Sequence, residues 1–151
     1  MQLPITDYLF LEKEIIARLA ATVPGLPVLA IDNEAQLRMN LLPVTSAFVW
    51  MIDDRPGEVM SQGRGQKIHQ SWLVELVTKN AAQPLTGTAA RQEAGPIMMQ
   101  IREALVGWTP NEYVVSRFRQ ETSAVKKMAM EGGIIIRPLQ FGAEFTLKTN
   151  N

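Results

Sequence analysis

The run from Gln66 to Lys79 constrains this chain more than any other segment. Ile68, Trp72, Val74 and Leu76 fall on one side of a period-two pattern, and Lys67, His69, Ser71, Glu75 and Lys79 on the other, as in a strand with one buried face. Leu73 and Val77 break the polar side. At about 3.3 Å per residue such a strand reaches some 40 Å. A compact domain of 151 residues has a diameter of roughly 30 Å, from a radius of gyration of about 15 Å. The end of the strand nearest the preceding loop is therefore expected to project as a hairpin arm.

The remaining elements follow from periodicity and punctuation. Thr6 and Asp7 are expected to cap a helix whose apolar residues Tyr8, Leu11, Ile15 and Leu19 recur every three to four positions, with Glu12, Lys13, Glu14 and Arg18 outward, ending before Pro24-Gly25. Val28 to Ile31 reads as a short strand, and Asn33 to Asn40 as a helical turn in which Gln36 reaches back to an Asn33 cap. Ala47 to Asp53 is apolar on both faces, as a central strand is, and Asp54 to Gly65 reads as a charged loop. Thr88 to Leu105 places Ala90, Ala94, Ile97, Ile101 and Leu105 on one helical face, with Gly95-Pro96 expected to kink or split it. Tyr113 to Arg119 has β character, Gln120 to Met130 is ambiguous, and Gly132-Gly133 is a turn. Ile134 to Ile136 opens a last strand, and after Pro138 the residues Leu139, Phe141, Ala143, Phe145 and Leu147 alternate inward.

This order predicts one α+β domain over residues 1–151, with a mixed, mostly antiparallel sheet of four to five strands, two main helices on one face and a projecting long hairpin. Val49, Met51, Leu73 and Val77 are then left with no helix to cover them, which makes them candidate subunit-interface residues.

Composition narrows the function classes. The chain has no cysteine, which excludes Cys-based zinc sites, thiol catalysis and disulfides, and fits a reducing compartment. Fifteen basic side chains balance fifteen acidic ones, so the domain as a whole has no electrostatic footprint for nucleic acid or an anionic membrane. Pro24, Pro27 and Pro43 break the longest uncharged stretches below the roughly 20 apolar residues of a bilayer span. Met1 to Thr6 lacks the basic start of a secretory signal, so no export is expected.

Candidate chemistry is sparse. Gly63-Arg64-Gly65 lacks the third glycine and the following helix of a dinucleotide fingerprint. His69 is the sole histidine, leaving any serine triad hanging on one residue, and its simplest reading is an exposed strand position. Asp53, Asp54 and Glu58, with His69, would serve a small metal-dependent hydrolase or nuclease, but Glu75 is followed by Leu76 and Val77 where a nuclease would place a lysine. A solvated turn around Pro56-Gly57 explains the same acids. No catalytic residue, metal site or cofactor is expected. Arg55, Glu58, Arg64 and Lys67 charge the arm, and Arg117 and Arg119 share one face of their strand. The tryptophans Trp50, Trp72 and Trp108 and the eight methionines fit packing and contact surface.

Several segments, in order along nearly the whole chain, resemble the tail terminator proteins of long-tailed bacteriophages, in the form found in contractile-tail phages and prophages. They are Ile5-Thr6-Asp7 with Leu11 to Leu19, Pro43 to Ile52, His69-Gln70-Ser71-Trp72-Leu73-Val74, Thr88 to Pro96, Leu105-Val106-Gly107-Trp108-Thr109-Pro110, and Glu131-Gly132-Gly133 before Leu139-Gln140-Phe141. The resemblance implies a non-enzymatic virion structural protein that forms a ring, usually hexameric, on the head-proximal end of the tail tube. It also implies that the ring stops tube polymerisation and offers the head-tail connector a docking surface, or else a role as another neck or head-tail completion protein. The implied partners are further copies of the chain, the tail tube protein and the connector, without membrane or sequence-specific nucleic acid. Assembly would occur in the host bacterial cytoplasm, ending in the virion tail. Arg55, Glu58, Arg64 and Lys67 then become candidate contacts with tube or connector.

Overall fold

The computed structural model describes residues 4–79, 87–110, 112–113 and 115–148. The chain forms α1 (Phe10–Thr22), β1 (Val28–Ala30), α2 (Glu34–Met39), β2 (Ser46–Met60), β3 (Gly65–Lys79), α3 (Thr88–Leu105), β4 (Arg119–Glu121), β5 (Met128–Met130) and β6 (Ile134–Lys148). These build an α+β fold around a mixed six-stranded sheet in the order β1-β2-β3-β6-β4, with β5 also paired to β6. Among the described residues only the β1–β2 pair is parallel. β1 stands at the expected short strand, whereas the expected strand Tyr113 to Arg119 is reduced to one bridge at Val115 and β4 begins only at Arg119; β4 and β5 are three-residue edge pieces, too short to leave a periodic signal.

Two long helices cover one face. Phe10, Leu11, Ile15 and Leu19 of α1 and Ala94, Ile101, Ala104 and Leu105 of α3 pack on Ile68, Trp72, Val74 and Leu76 of β3 and on Leu139, Phe141, Ala143 and Phe145 of β6. The apolar halves of both long strand patterns thus form the main core. Helix α1 starts three residues later than the candidate cap: the Asp7 carboxylate accepts from the Leu9 amide at 2.9 Å, and Tyr8 stays exposed. Arg18 does not point away either, since its Nε donates to the Ala104 carbonyl at 2.9 Å and its guanidinium lies 5.5 Å from the centre of the Trp108 ring. The cation thereby ties α1 to the end of α3 through a stacked aromatic contact.

Helix α3 runs unbroken through Gly95-Pro96. Both residues are exposed, so the Gln92 carbonyl that loses its partner at Pro96 faces water. Gly95 suits the position before proline, where a Cβ would clash in helical backbone. Pro138 sits inside β6 opposite Glu75, between the segments paired to β5 and to β4. Its missing amide falls on the outer edge, where no strand needs it.

The opposite face is covered as well. Ile31, Leu37 of α2, Phe48, Val77 and Ile136 make a second, smaller cluster, flanked by Leu29, Leu41, Trp50, Met128, Met130 and Ile134. Asn33 caps α2 by accepting from the Gln36 amide at 3.0 Å, and the Gln36 side chain accepts from the Asp32 amide at 2.7 Å. The reciprocal cap read in the sequence is therefore present, returned one residue earlier than the usual box.

The expected uncovered face must be corrected. Val49 and Met51 face α1 and α3, whereas Val77 lies on the other side beneath α2. Val49, Leu73 and Val77 are all buried within the chain itself. Two adjacent strands that are each apolar on both sides do not reveal which residues share a face; register does, and it pairs Val49 with Val74 and Trp50 with Leu73.

Candidate functional site

Segment 54–65, expected as a loop, is instead mostly strand. β2 continues to Met60, turns through Ser61–Gly63 and returns as β3 at Gly65. Pro56-Gly57 and the clustered charges read as a turn because they sit at register shifts between Met51 and Asp53 and between Pro56 and Val59. Bulges of this kind bend a strand without ending it. Nor is the arm a bare hairpin, since β3 pairs with β6 over its whole length, from Gly65 opposite Lys148 to Lys79 opposite Ile134. At about 3.3 Å per residue, strands of this length extend well over 40 Å.

On this three-stranded ribbon Arg55, Glu58, Arg64 and Lys67 are all exposed, and Val59 keeps 59% of its surface in water. Among the described residues β2 has no outer partner strand past Val49, and β6 none past the single bridge from Val115 to Phe145. Pro56, the bulges and the charges keep that open edge from pairing indiscriminately. Asp53 and Asp54 do not converge: Asp53 pairs with Arg55 at 3.4 Å, while Asp54 accepts from the Tyr8 hydroxyl at 2.5 Å. Burial, and then the Asp54 carboxylate, push the Tyr8 phenol up to about 12. Among the described residues no group of three or more His, Asp or Glu side chains is placed to hold a metal ion.

Behind the arm lies a polar cluster that sequence reasoning missed. Glu121 on β4 reaches across β6 to accept from Ser71 Oγ at 2.7 Å, to meet His69 Nε2 at 2.9 Å and to accept from Gln140 at 3.3 Å. It crosses directly over Gly142, where a Cβ would stand 2.5 Å from a Glu121 oxygen. Burial raises the Glu121 carboxyl, but the bonds from Ser71 and Gln140 and the nearby His69 outweigh it and hold the group below its ordinary range. His69 is thus not an exposed strand residue: its side chain is 11% exposed and lies between Glu121 and, 3.8 Å from its Nδ1, Glu144.

The cluster does not have the geometry of a nucleophilic triad. A triad base uses one ring nitrogen for the serine and the other for the acid. Here Nε2 faces both Ser71 Oγ, at 3.3 Å, and Glu121, and the serine hydroxyl donates to the carboxylate itself. Ser71 is also 1% exposed. The arrangement fastens the edge strand to the sheet. Beside it a small cavity of about 100 Å³ is lined by His69, Arg117, Arg119 and Glu144, so the two arginines read as one face do come together.

At the other end of the sheet a groove of about 510 Å³ runs between α3 and the chain entering β2, lined by Val23, Leu26, Val44, Ile97, Lys79 and Glu93 among others. Val44 is 54% exposed. Glu93 on α3 accepts a hydrogen bond from Thr45 and closes the groove floor.

Two exposed surfaces, the charged arm and the partly apolar groove, thus lie at opposite ends of one long ribbon, with the polar residues between them used for internal fastening. No helix is long and apolar enough to cross a membrane among the described residues. Compared with curated proteins, the chain finds no match. The family model described as phage tail terminator protein matches residues 5–151, nearly the whole chain, in agreement with the resemblance read from its segments. The chain therefore belongs to the phage tail terminator protein family.

Proposed function

We propose that the chain forms a ring on the head-proximal end of the tail tube, ends tube polymerisation there and offers the head-tail connector its docking surface. The observation that carries this reading is the family match over residues 5–151, which makes the protein a structural component of a phage tail. A closed ring of identical subunits uses two different complementary patches on each. The arm, with Val59 among Arg55, Glu58, Arg64 and Lys67, and the groove beside Val44 are two such patches at opposite ends of β2. The formal net charge of +0 lets like subunits sit side by side without strong mutual repulsion.

Electron microscopy of lysates from the parent phage or prophage carrying a deletion of this gene, beside a complemented control, tests the proposal. Overlong tails of irregular length without heads are expected. Tails of normal length lying apart from filled heads would assign the protein to head-tail joining instead, and normal infectious particles would overturn both.

A further inference from the structure

The structure holds a second group of acids, away from the arm. Glu75 lies in the central strand β3 and is 0% exposed. The Trp50 indole donates to one of its oxygens at 2.7 Å, and the other has no partner. Glu34, in the first turn of α2, turns its carboxyl toward Glu75, and both of its own oxygens are buried without a hydrogen bond. Around the pair, β2 contributes Trp50, and β6 places Pro138 opposite Glu75. Arg38 of α2 is engaged with Met128, and Arg137 of β6 with Thr78. Among the described residues no salt bridge reaches either acid.

Two ionised carboxylates facing one another in a dry layer repel and lack donors, whereas one proton shared between them supplies the missing donor and removes a charge. Helix α2 has little else to hold it. It is six residues long, and Leu37 is its one buried side chain.

We propose that Glu34 and Glu75 form a proton-dependent latch that fastens α2 over the second apolar cluster and releases it when the Glu75 carboxyl ionises. Burial, then the Glu34 carboxyl, push Glu75 up to about 7, against the Trp50 bond, which works the other way. A carboxyl raised in the docked state and ordinary in the undocked state contributes its full stabilisation below the ordinary value of 4.5 and loses it as pH rises toward 7. Release would uncover Phe48 and Val77 on the sheet.

Amide hydrogen exchange of the full chain at pH 5 and pH 8, corrected for intrinsic rates, tests the latch at residues 34–39. Protection of α2 is expected to fall on the order of a hundredfold between the two conditions in the wild type. It should stay level in Glu75→Gln, which keeps an acceptor for Trp50 and is neutral throughout. Glu34→Gln, which removes the facing acid but leaves Glu75 buried, should weaken the response and replaces the first variant should that fail to fold. Glu12 and Glu14 are also raised by burial, but they lie on α1, so their contribution persists in both variants and is subtracted. Equal protection at both values in the wild type, or a fall that survives both substitutions undiminished, overturns the latch. Restoration of protection at pH 8 by magnesium or calcium in the wild type overturns it in favour of a cation between the two acids.

Discussion

Glu121 shows how one side chain can decide whether an edge strand belongs to a sheet. β4 contributes only three paired residues, Arg119 to Glu121, and a three-residue strand holds poorly by its ladder alone. The carboxylate supplies the rest by crossing Gly142 to Ser71 and His69 on β3. Because its folded-state carboxyl is held below the ordinary range, its contribution is present above the unfolded value and is lost as pH falls through the folded one. Glu121→Gln should therefore cost about 2 kcal/mol at pH 7, the loss of charged hydrogen bonds, and should flatten the acid side of a plot of melting temperature against pH. Gly142→Ala should produce the same loss by displacing the carboxylate, and a variant melting like the wild type at pH 7 would refute the role. The glycine was the legible trace of this contact. A glycine inside an otherwise regular strand marks a close approach, although the sequence does not say by what. Glu121 itself sat in an ambiguous stretch, and its partners are 19 to 52 residues away along the chain.

At the scale of elements, local signals read well and non-local ones poorly. The α1 and α3 stripes, the Asn33 cap and the inward alternation of β6 all depend on residues within one element, and apart from Tyr8, which precedes α1 and stays exposed, each stands where the sequence put it. What failed was the assignment of Asp54 to Gly65 to a loop, because the composition of a doubly bulged strand is that of a turn. Failure also touched the cover of the second sheet face. Helix α2 has a single buried residue, too little to form a stripe, yet its position places it over Phe48 and Val77. Such a short helix relies on its cap. Asn33→Ala should remove the acceptor for the Gln36 amide and cost about 1 kcal/mol, or roughly 2–4 °C in melting temperature for a chain of this size. The loss should appear as faster amide exchange confined to residues 34–39, and an effect spread evenly over the sheet would mean that the cap matters only through global stability.

The whole molecule is a ribbon of three fifteen-residue strands that is clamped between helices at one end and bare at the other. A strand too long for its domain was readable from a single pattern, and so was the family to which the segments belong; the distribution of residues between the two faces was not, since register is a property of strand pairs. That geometry keeps the arm apart from the core. The core lies under α1, α3 and α2, while Arg55, Glu58, Val59, Arg64 and Lys67 contact mostly water. Exposed substitutions away from caps and cores generally change stability by less than about 0.5 kcal/mol, so Val59→Asp combined with Arg64→Glu should leave the melting temperature of the isolated protein close to that of the wild type. If the arm meets the tube, a phage carrying the pair should nevertheless assemble tails of uncontrolled length or tails without heads, despite normal amounts of soluble variant. Charge reversal should also make the surviving particles sensitive to ionic strength, because contacts between exposed charges are screened over roughly 10 Å at 0.1 M salt. Tails of wild-type length and full infectivity from this variant would remove the arm from the contact surface and leave the groove beside Val44 as the place to look.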